Sequence, residues 1–437
     1  MNAIAPIKHS ATKGPFAILD IGSSKLACLI VETVSGNKLK ILSYAMHASA
    51  GIQRGEITDL SLLSQTIGKV VEAAERKAEL TIRDLHIVMP GGAAISTIHR
   101  QELELTDQII SKRDIRRLLT KQLSVPLPEG RSLIQTENLH YIIDGTSQVQ
   151  NPKGMRANHL ALDATSFTIN NTAYLNIKEA VQHNHLAMGR LSHSAYAAGL
   201  ACLSEEERDL GTLLLDMGGG TTSAALFLNG GIIGIATVPL GGIQITRDIA
   251  RILSVSLSDA ERLKAMEGSV TPSHGEALGD IYAPPPFTAT GDNFIPATSP
   301  YQMQDLALPN GEMISRQLLS DIIRPRIEEI LDYTYQKLKD ARLENHIGNR
   351  VVLTGGASHL TGVADFISQY WKKSASLAYP HHILGLDEQS SNPAFAAMIG
   401  MALHISRSSD DDISEIHPAT FAKTPFGRLG MWLRTHL

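Results

Sequence analysis

The chain has 437 residues, 44 of them acidic and 39 basic, with a formal net charge of −5 at pH 7. That length allows two or three domains around a substantial core. The acidic balance argues against broad nucleic-acid binding, so no nucleic-acid partner is expected. Cys28 and Cys202 are the only cysteines. Both lie in apolar runs and read as buried thiols in a reducing compartment, not as a disulfide or a metal site. No apolar run reaches the ~18–20 residues needed to span a bilayer. The N-terminus lacks the apolar region of a signal peptide, so a cytoplasmic location is expected.

Residues 1–13 read as an unstructured lead. Residues 17–30, AILDIGSSKLACLI, read as a β-hairpin whose tip carries Asp20, Gly22, Ser23, Ser24 and Lys25. A strand is expected at 38–44. Between 60 and 80, Leu63, Ile67, Val70, Val71, Ala74 and Ala78 recur at helical spacing. A strand at 86–89 ends in Pro90-Gly91-Gly92. The character changes from 93 to 168, where strands at 95–105, 133–143 and 157–169 and a basic helix at 112–123 form a small inserted α+β module. Lys112, Arg113, Arg116 and Arg117 on that helix read as a solvated face rather than a binding patch. Helices are expected at 174–190 and 191–203. His183, His185 and His193 read as ordinary helix and surface histidines, because no matching Cys/His cluster completes a metal set.

Residues 213–226 align without gaps on 17–30, with Asp216 matching Asp20, Gly218 matching Gly22 and Thr221 matching Lys25. This second tip carries Asp216, Gly218, Gly219, Gly220, Thr221 and Thr222. Glycines there let backbone N–H groups cluster into a nest for phosphate oxygens. An aspartate ending each first arm suits Mg²⁺ held through water, opposite those phosphates. Two such hairpins about two hundred residues apart imply two related half-molecules facing one nucleotide.

Gly241 and Gly242 open a helix and can approach a phosphate or sugar. Glu261 and Lys264 sit three apart on a helix at 259–266, either as a surface ion pair or as a polar clamp on ribose or base. Residues 268–310 read as long loops, and 314–343 as a long helix interrupted at Pro325. VVLTGG at 351–356 ends in Gly355 and Gly356, followed by Ala357, which permits close approach to adenine or ribose. A short apolar helix is expected at 393–403 and a flexible acidic linker at 405–420. In the last segment, 424–437, Phe426, Leu429, Leu433 and Leu437 share one helical stripe with Trp432 at its edge, while Arg428 and Arg434 lie elsewhere. That is a membrane-surface pattern, the alternative being a helix docked on its own protein.

These motifs resemble the actin/Hsp70/sugar-kinase ATPase superfamily and, within it, the FtsA family of bacterial cell-division proteins. LDIGSSK, YIIDG…NPKGMR (141–156), SEEERDLG, VPLGG..ITRDIA, SDAERLK and VVLTGGAS carry the likeness, which covers nearly the whole chain. It implies an α/β, actin-like (ribonuclease H-like) two-lobed ATPase fold with an inserted 1C subdomain and a C-terminal amphipathic helix. The implied divisions are subdomain 1A at 14–84 and 169–208, 1C at 85–168, 2A at 209–240 and 345–404, and 2B at 241–344. A linker at 405–423 and the helix at 424–437 follow. Two connecting helices fall near 192–203 and 393–403.

The resemblance further implies ATP and Mg²⁺ in the interdomain cleft, with at most slow turnover, and no general base is evident. It implies actin-like polymerisation and tethering of FtsZ filaments through their C-terminal peptide, with Arg316 and Asp321 as candidate contacts. It also implies attachment to anionic lipids on the cytoplasmic face of the inner membrane at the division site, and recruitment of downstream divisome proteins through subdomain 1C. Gln244 is a departure, since the family commonly has Asp there. Alternatives are a PilM-like pilus-assembly adaptor, against which the terminal helix and tether speak, and a metabolic kinase, which has no use for that helix.

Overall fold

The computed structural model describes residues 14–34, 38–271, 306–308, 311, 313–381, 384–385 and 392–407. The lead at 1–13, most of the loops at 268–310, the linker from 408 onward and the helix expected at 424–437 lie outside the described residues.

The first half opens with β1 (Phe16–Ile21), β2 (Lys25–Val34) and β3 (Lys38–Ala48), followed by a small hairpin, β4 (Ile52–Gln53) and β5 (Glu56–Ile57). Next come α1 (Leu60–Ala78), β6 (Asp84–Met89), β7 (Ile95–Ile109), α2 (Lys112–Leu123), β8 (Arg131–Ile143), β9 (Ser147–Val149) and β10 (Arg156–Asn170). The half closes with α3 (Asn171–Gln182), β11 (Ala187–His193), α4 (Ser194–Cys202) and α5 (Glu205–Leu210). The second half runs β12 (Thr212–Met217), β13 (Thr222–Leu228), β14 (Gly231–Val238), α6 (Gly242–Ile252) and α7 (Leu257–Glu267). It continues through β15 (Leu306–Ala307), β16 (Met313–Ile314), α8 (Arg316–Asp340), β17 (Arg350–Thr354), α9 (Val363–Trp371), β18 (Ser374–Leu377) and α10 (Ala396–Arg407).

The two main sheets are topological copies. One has the order β11-β6-β1-β2-β3 and the other β18-β17-β12-β13-β14, each an antiparallel meander extended by two parallel strands. The hairpins agree in register as well as in order. Phe16 pairs with Val31 as Thr212 pairs with Phe227, and Asp20 pairs with Ala27 as Asp216 pairs with Ser223. The apolar run in each central strand, FAILDI and TLLLDM, is buried almost throughout, which is what a strand covered on both faces requires. The halves differ in what they insert. The first carries the four-stranded β7-β10-β8-β9 sheet with α2 between β6 and β11, and the second carries α6, α7 and α8 between β14 and β17. The basic side chains expected on α2 are exposed, while Ile115, Leu118 and Leu119 are buried beneath them.

Two helices join the halves. α4 and α10 pack against each other so closely that a Cβ on Gly400 would stand 1.6 Å from the Ala197 carbonyl oxygen. One on Gly199 would stand 2.2 Å from the Phe227 ring. The small residues of α4 are thus a packing requirement. Both cysteines are buried and free, and burial pushes each thiol up to about 12.

Several expectations are corrected. The helix expected over 174–190 ends at Gln182, where His183 caps it and His185 turns left-handed at φ 59°. Residues 187–193 are instead strand β11, held by parallel pairing with β6 through Ala187↔Asp84 and His193↔Met89. The next helix therefore starts at Ser194, not 191. His193 is neither helical nor on the surface. It is 1% exposed, with Nε2 3.1 Å from Thr237 Oγ1. Pro325 does not interrupt α8, because Ile322 and Ile323 before it and Ile327, Ile330 and Leu331 after it share one buried face. Residues 405–407, read as linker, are the last turn of α10.

Burial of His193 has a pH signature. Desolvation pushes its imidazole down to about 4 against an ordinary 6.5, with the Pro90 backbone opposing. The folded chain keeps it neutral where the unfolded chain takes up a proton. Its contribution is complete above pH 6.5 and is lost as pH falls towards 4. Between pH 7 and pH 5 this costs about 2 kcal/mol. Urea unfolding at the two pH values measures it, and a His193→Gln chain should show a drop smaller by that amount. Equal drops in both chains would refute the assignment.

Candidate functional site

The two repeated hairpins meet tip to tip. A Cβ on Gly219 would lie 2.7 Å from Ser24 Cβ, and one on Gly220 would lie 2.4 Å from Ser23 Cβ, so only glycine permits the contact. Within each tip the backbone folds alike: a Cβ on Gly22 would meet the Lys25 carbonyl at 2.8 Å, and one on Gly218 the Thr221 carbonyl at 3.0 Å. Below the tips a cleft of about 410 Å³ opens between the halves, within the range of small-ligand sites.

The cleft brings together most of the residues singled out from the sequence. Asp20, Gly22, Ser23, Ser24, Lys25, Asp216, Gly218, Gly219, Gly220 and Thr221 line its phosphate-like end. Gly242, Glu261, Lys264, Gly355, Gly356 and Ala357 line the rest. Thr222 and Gly241 stand behind the wall. Thr222 is buried and donates to the Leu240 carbonyl at 2.9 Å. The Gly241 N–H donates to Gln244 Oε1 at 2.8 Å, which is what the departing residue Gln244 does here.

The start of α6 is also committed. Gly242 N–H donates to the Gly218 carbonyl at 3.0 Å and Ile243 N–H to the Gly219 carbonyl at 2.7 Å. These two bonds brace the second hairpin, while Gly242 keeps its place in the cleft wall. Gly355 has φ 86°, and a Cβ there would lie 2.5 Å from Asp216 Oδ1, so the third glycine loop packs directly on the carboxylate.

Charge is concentrated and desolvated at the hairpin tips. Burial pushes Asp20 up to about 7, with the Lys25 ammonium opposing and the Asp216 charge reinforcing. Burial also raises Asp216, while the Ser194 hydroxyl holds it partly down. Lys25 is lowered by burial and supported by Asp20, and its Nζ lies 4.6 Å over the Phe395 ring. Two carboxylates that burial discourages from ionising, and that Lys25 only partly compensates, favour a hard cation beside them. Among the described residues no three metal-binding side chains cluster, so an all-protein cage is not available there. The donor set fits Mg²⁺, which keeps waters and takes only one or two carboxylates.

At the other end Glu261 and Lys264 form an ion pair of 2.7 Å. Lys264 Nζ also donates to Thr246 Oγ1 at 2.8 Å and to the Gly242 carbonyl at 3.1 Å, and the Thr246 hydroxyl donates to Glu261. The pair is therefore fixed in the cleft wall. Sequence reasoning missed Pro90, Ser194, His359 and Ala394, which also line the cleft. Ser194 and Ala394 lie at or just before the starts of the two connecting helices, a placement available from the helix pattern alone.

Arg316 and Asp321 lie on α8, outside the cleft. Arg316 is paired with Glu267 at 2.6 Å, and Asp321 accepts from Gln317 at 2.8 Å. Asp321 borders a groove of about 490 Å³ between α6 and α8, with Ile252, Leu318 and Pro325; Arg316 is not among its walls. Phe426, Leu429, Trp432, Leu433 and Leu437 lie outside the described residues. No helix among the described residues is long and apolar enough to cross a membrane.

Comparison with known proteins places this geometry. The family model described as "Cell division protein FtsA" matches residues 213–400, and that described as "SHS2 domain inserted in FTSA" matches 91–168. The cell-division protein FtsA of Agrobacterium fabrum is 31% identical over 435 residues, covering 96% of this chain and 94% of its own. That of Escherichia coli is 24% identical, covering 95% and 96%. Among solved structures, the PilM–PilN type IV pilus biogenesis complex aligns with a TM-score of 0.59 at 18% identity, covering 91% of this chain and 100% of the other. MreB5 of Spiroplasma citri bound to ADP aligns with 0.51 at 13% identity, covering 91% and 100%. The fold is accordingly actin-like, with an inserted α+β module. On the full-length match to its relatives, the chain belongs to the FtsA family of cell-division proteins.

Proposed function

We propose that this cell-division protein binds Mg²⁺·ATP in the cleft, assembles into actin-like filaments and ties FtsZ filaments to the inner membrane at the division site. Recruitment of later divisome proteins through the inserted module belongs to the same reading, as does the division into subdomains 1A, 1C, 2A and 2B with the boundaries given above. The observation that carries it is the pair of hairpins meeting tip to tip over two half-buried carboxylates. That MreB5 of Spiroplasma citri, which shares this fold, was solved bound to ADP supports the nucleotide part of the reading.

In this reading the glycine tips present backbone N–H groups to the phosphates. Lys25 supplies positive charge beside Asp20. Asp20 and Asp216 orient the water shell of the cation, which when bound neutralises phosphate charge. The Glu261–Lys264 pair and the Gly355–Ala357 loop flank the sugar and base. These groups bind and position; the reading assigns none of them to activate water. The groove along α6 and α8 is proposed for the FtsZ C-terminal peptide, with Ile252 58% and Leu318 40% exposed as its apolar contacts and Asp321 at its edge. Arg316, paired with Glu267 at the start of the same helix, is proposed as a further contact of that peptide. Phe426, Leu429, Trp432, Leu433 and Leu437 are proposed to enter the headgroup region of anionic lipid, each weakly, with many copies acting together along a filament.

Three outcomes test this. Asp216→Ala should weaken Mg²⁺·ATP binding at least tenfold by titration calorimetry, about 1.4 kcal/mol or more, with the fold intact. Wild-type affinity would remove the nucleotide from this cleft. Ile252→Glu should lower the affinity for an FtsZ tail peptide at least tenfold by fluorescence anisotropy without changing ATP affinity; an unchanged titration moves the peptide elsewhere. Leu433→Glu should abolish pelleting with anionic liposomes while ATP binding persists. A chain truncated after Arg407 that still pellets like the full chain would exclude the terminal segment as the anchor.

A further inference from the structure

A second, smaller pocket of about 320 Å³ adjoins the nucleotide cleft and shares Ser23, Gly220 and Ile243 with it. Its remaining walls come from both halves: residues 49–54 of the first, with Leu62, and Gln244 and Arg247 of α6 in the second. No aspartate or glutamate lines it. Arg54 and Arg247 reach it from opposite sides, both exposed, and among the described residues neither is joined to a carboxylate. Ser49 lines it too, and its buried Oγ has no hydrogen-bond partner among the described residues.

The pocket is tied mechanically to the first phosphate hairpin. Arg54 sits in the β4–β5 turn with φ 51°, a left-handed conformation that costs an arginine strain. The next residue, Gly55, donates its N–H to Ser23 Oγ at 2.9 Å, and Ser49 N–H donates to the Ser24 carbonyl at 3.0 Å. The wall that presents Arg54 is thereby fixed to the hairpin tip.

Two guanidinium groups, an unused hydroxyl and no carboxylate suit a small tetrahedral oxyanion, which guanidinium forks bind bidentately. We propose that this pocket is an inorganic-phosphate site, distinct from the nest that faces the nucleotide, and that a bound phosphate clamps the two halves together through Arg54 and Arg247. The anion offsets the repulsion of two like charges brought together from opposite halves, so its occupancy favours the closed cleft. Phosphate from solution and phosphate released from a nucleotide present the same chemistry. The proposal rests on the nucleotide reading only for the second of these sources.

The test is titration calorimetry of the full chain with inorganic phosphate, nucleotide-free and saturated with Mg²⁺·ADP. Phosphate should bind in both states. Arg54→Gln and Arg247→Gln, both at exposed positions, should each weaken it at least tenfold while Mg²⁺·ADP affinity stays within about twofold. Retention of label from γ-labelled ATP by the wild-type chain and its loss in both variants marks the nucleotide as a source. Saturable binding without retained label marks solution as the source. The proposal is overturned if the wild type binds no phosphate, if ADP displaces it, or if both variants bind it as tightly as the wild type. Should ADP fail to bind the wild type while phosphate behaves as stated, the nucleotide reading fails and this site stands.

Discussion

Everything in the site depends on glycine backbone lying so close to its neighbours that no further side chain fits. Gly219 and Gly220 lie against Ser24 and Ser23 at distances a Cβ would not survive. A Cβ on Gly91 would come within 1.8 Å of the Gly55 carbonyl oxygen, which holds the entrance of the inserted module against the turn carrying Arg54. Gly355 packs in the same way on Asp216. Three separate loops are thus drawn onto two hairpin tips by the absence of side chains. The cleft exists because the hairpins touch at their ends and diverge beneath.

That contact joins two copies of one sheet plan, and the differences between the copies lie in their connections. An insertion is tolerated where the chain leaves a sheet at the surface, since lengthening a loop adds little closure entropy. The first half uses the exit after β6 for a four-stranded module, and the second uses the exit after β14 for three helices. The equivalent helices α4 and α10 leave no comparable latitude, because their packing at Gly400 is closer than any larger residue allows. The two halves thus share a sheet plan and a helix pair and differ in what they insert between them.

The interior carries an electrostatic cost that packing alone does not explain. Asp20, Asp216 and Lys25 are all desolvated, and the Lys25 charge only partly offsets the carboxylates. Burying like charges without full compensation is unfavourable, and such arrangements concentrate at sites that bind something charged. The neighbouring arginine pocket is its counterpart, with cations lacking carboxylates. Between them stand Ser23 and Gly220, so opposite imbalances share one wall.

The sequence by itself determined the repeated hairpins, the apolar strands, the basic face of α2 and most residues of the cleft. Those features are local: a short apolar run, glycine at a tip and an aspartate at a strand end are written within a dozen consecutive residues. The family likeness rested on the same short motifs. Only the tertiary structure decided the rest. Residues 187–193 carry no strand signal strong enough to outweigh helical spacing, and they become a strand because β6, about a hundred residues earlier, offers an edge to pair with. Pro325 stays within a helix because a buried face on both sides of it outweighs one missing hydrogen bond. The donors at the start of α6 were spent on Gly218 and Gly219, and His193 was buried against Thr237, by contacts between distant segments. Periodicity reports which face a residue prefers; what lies opposite that face is set by how the whole chain closes.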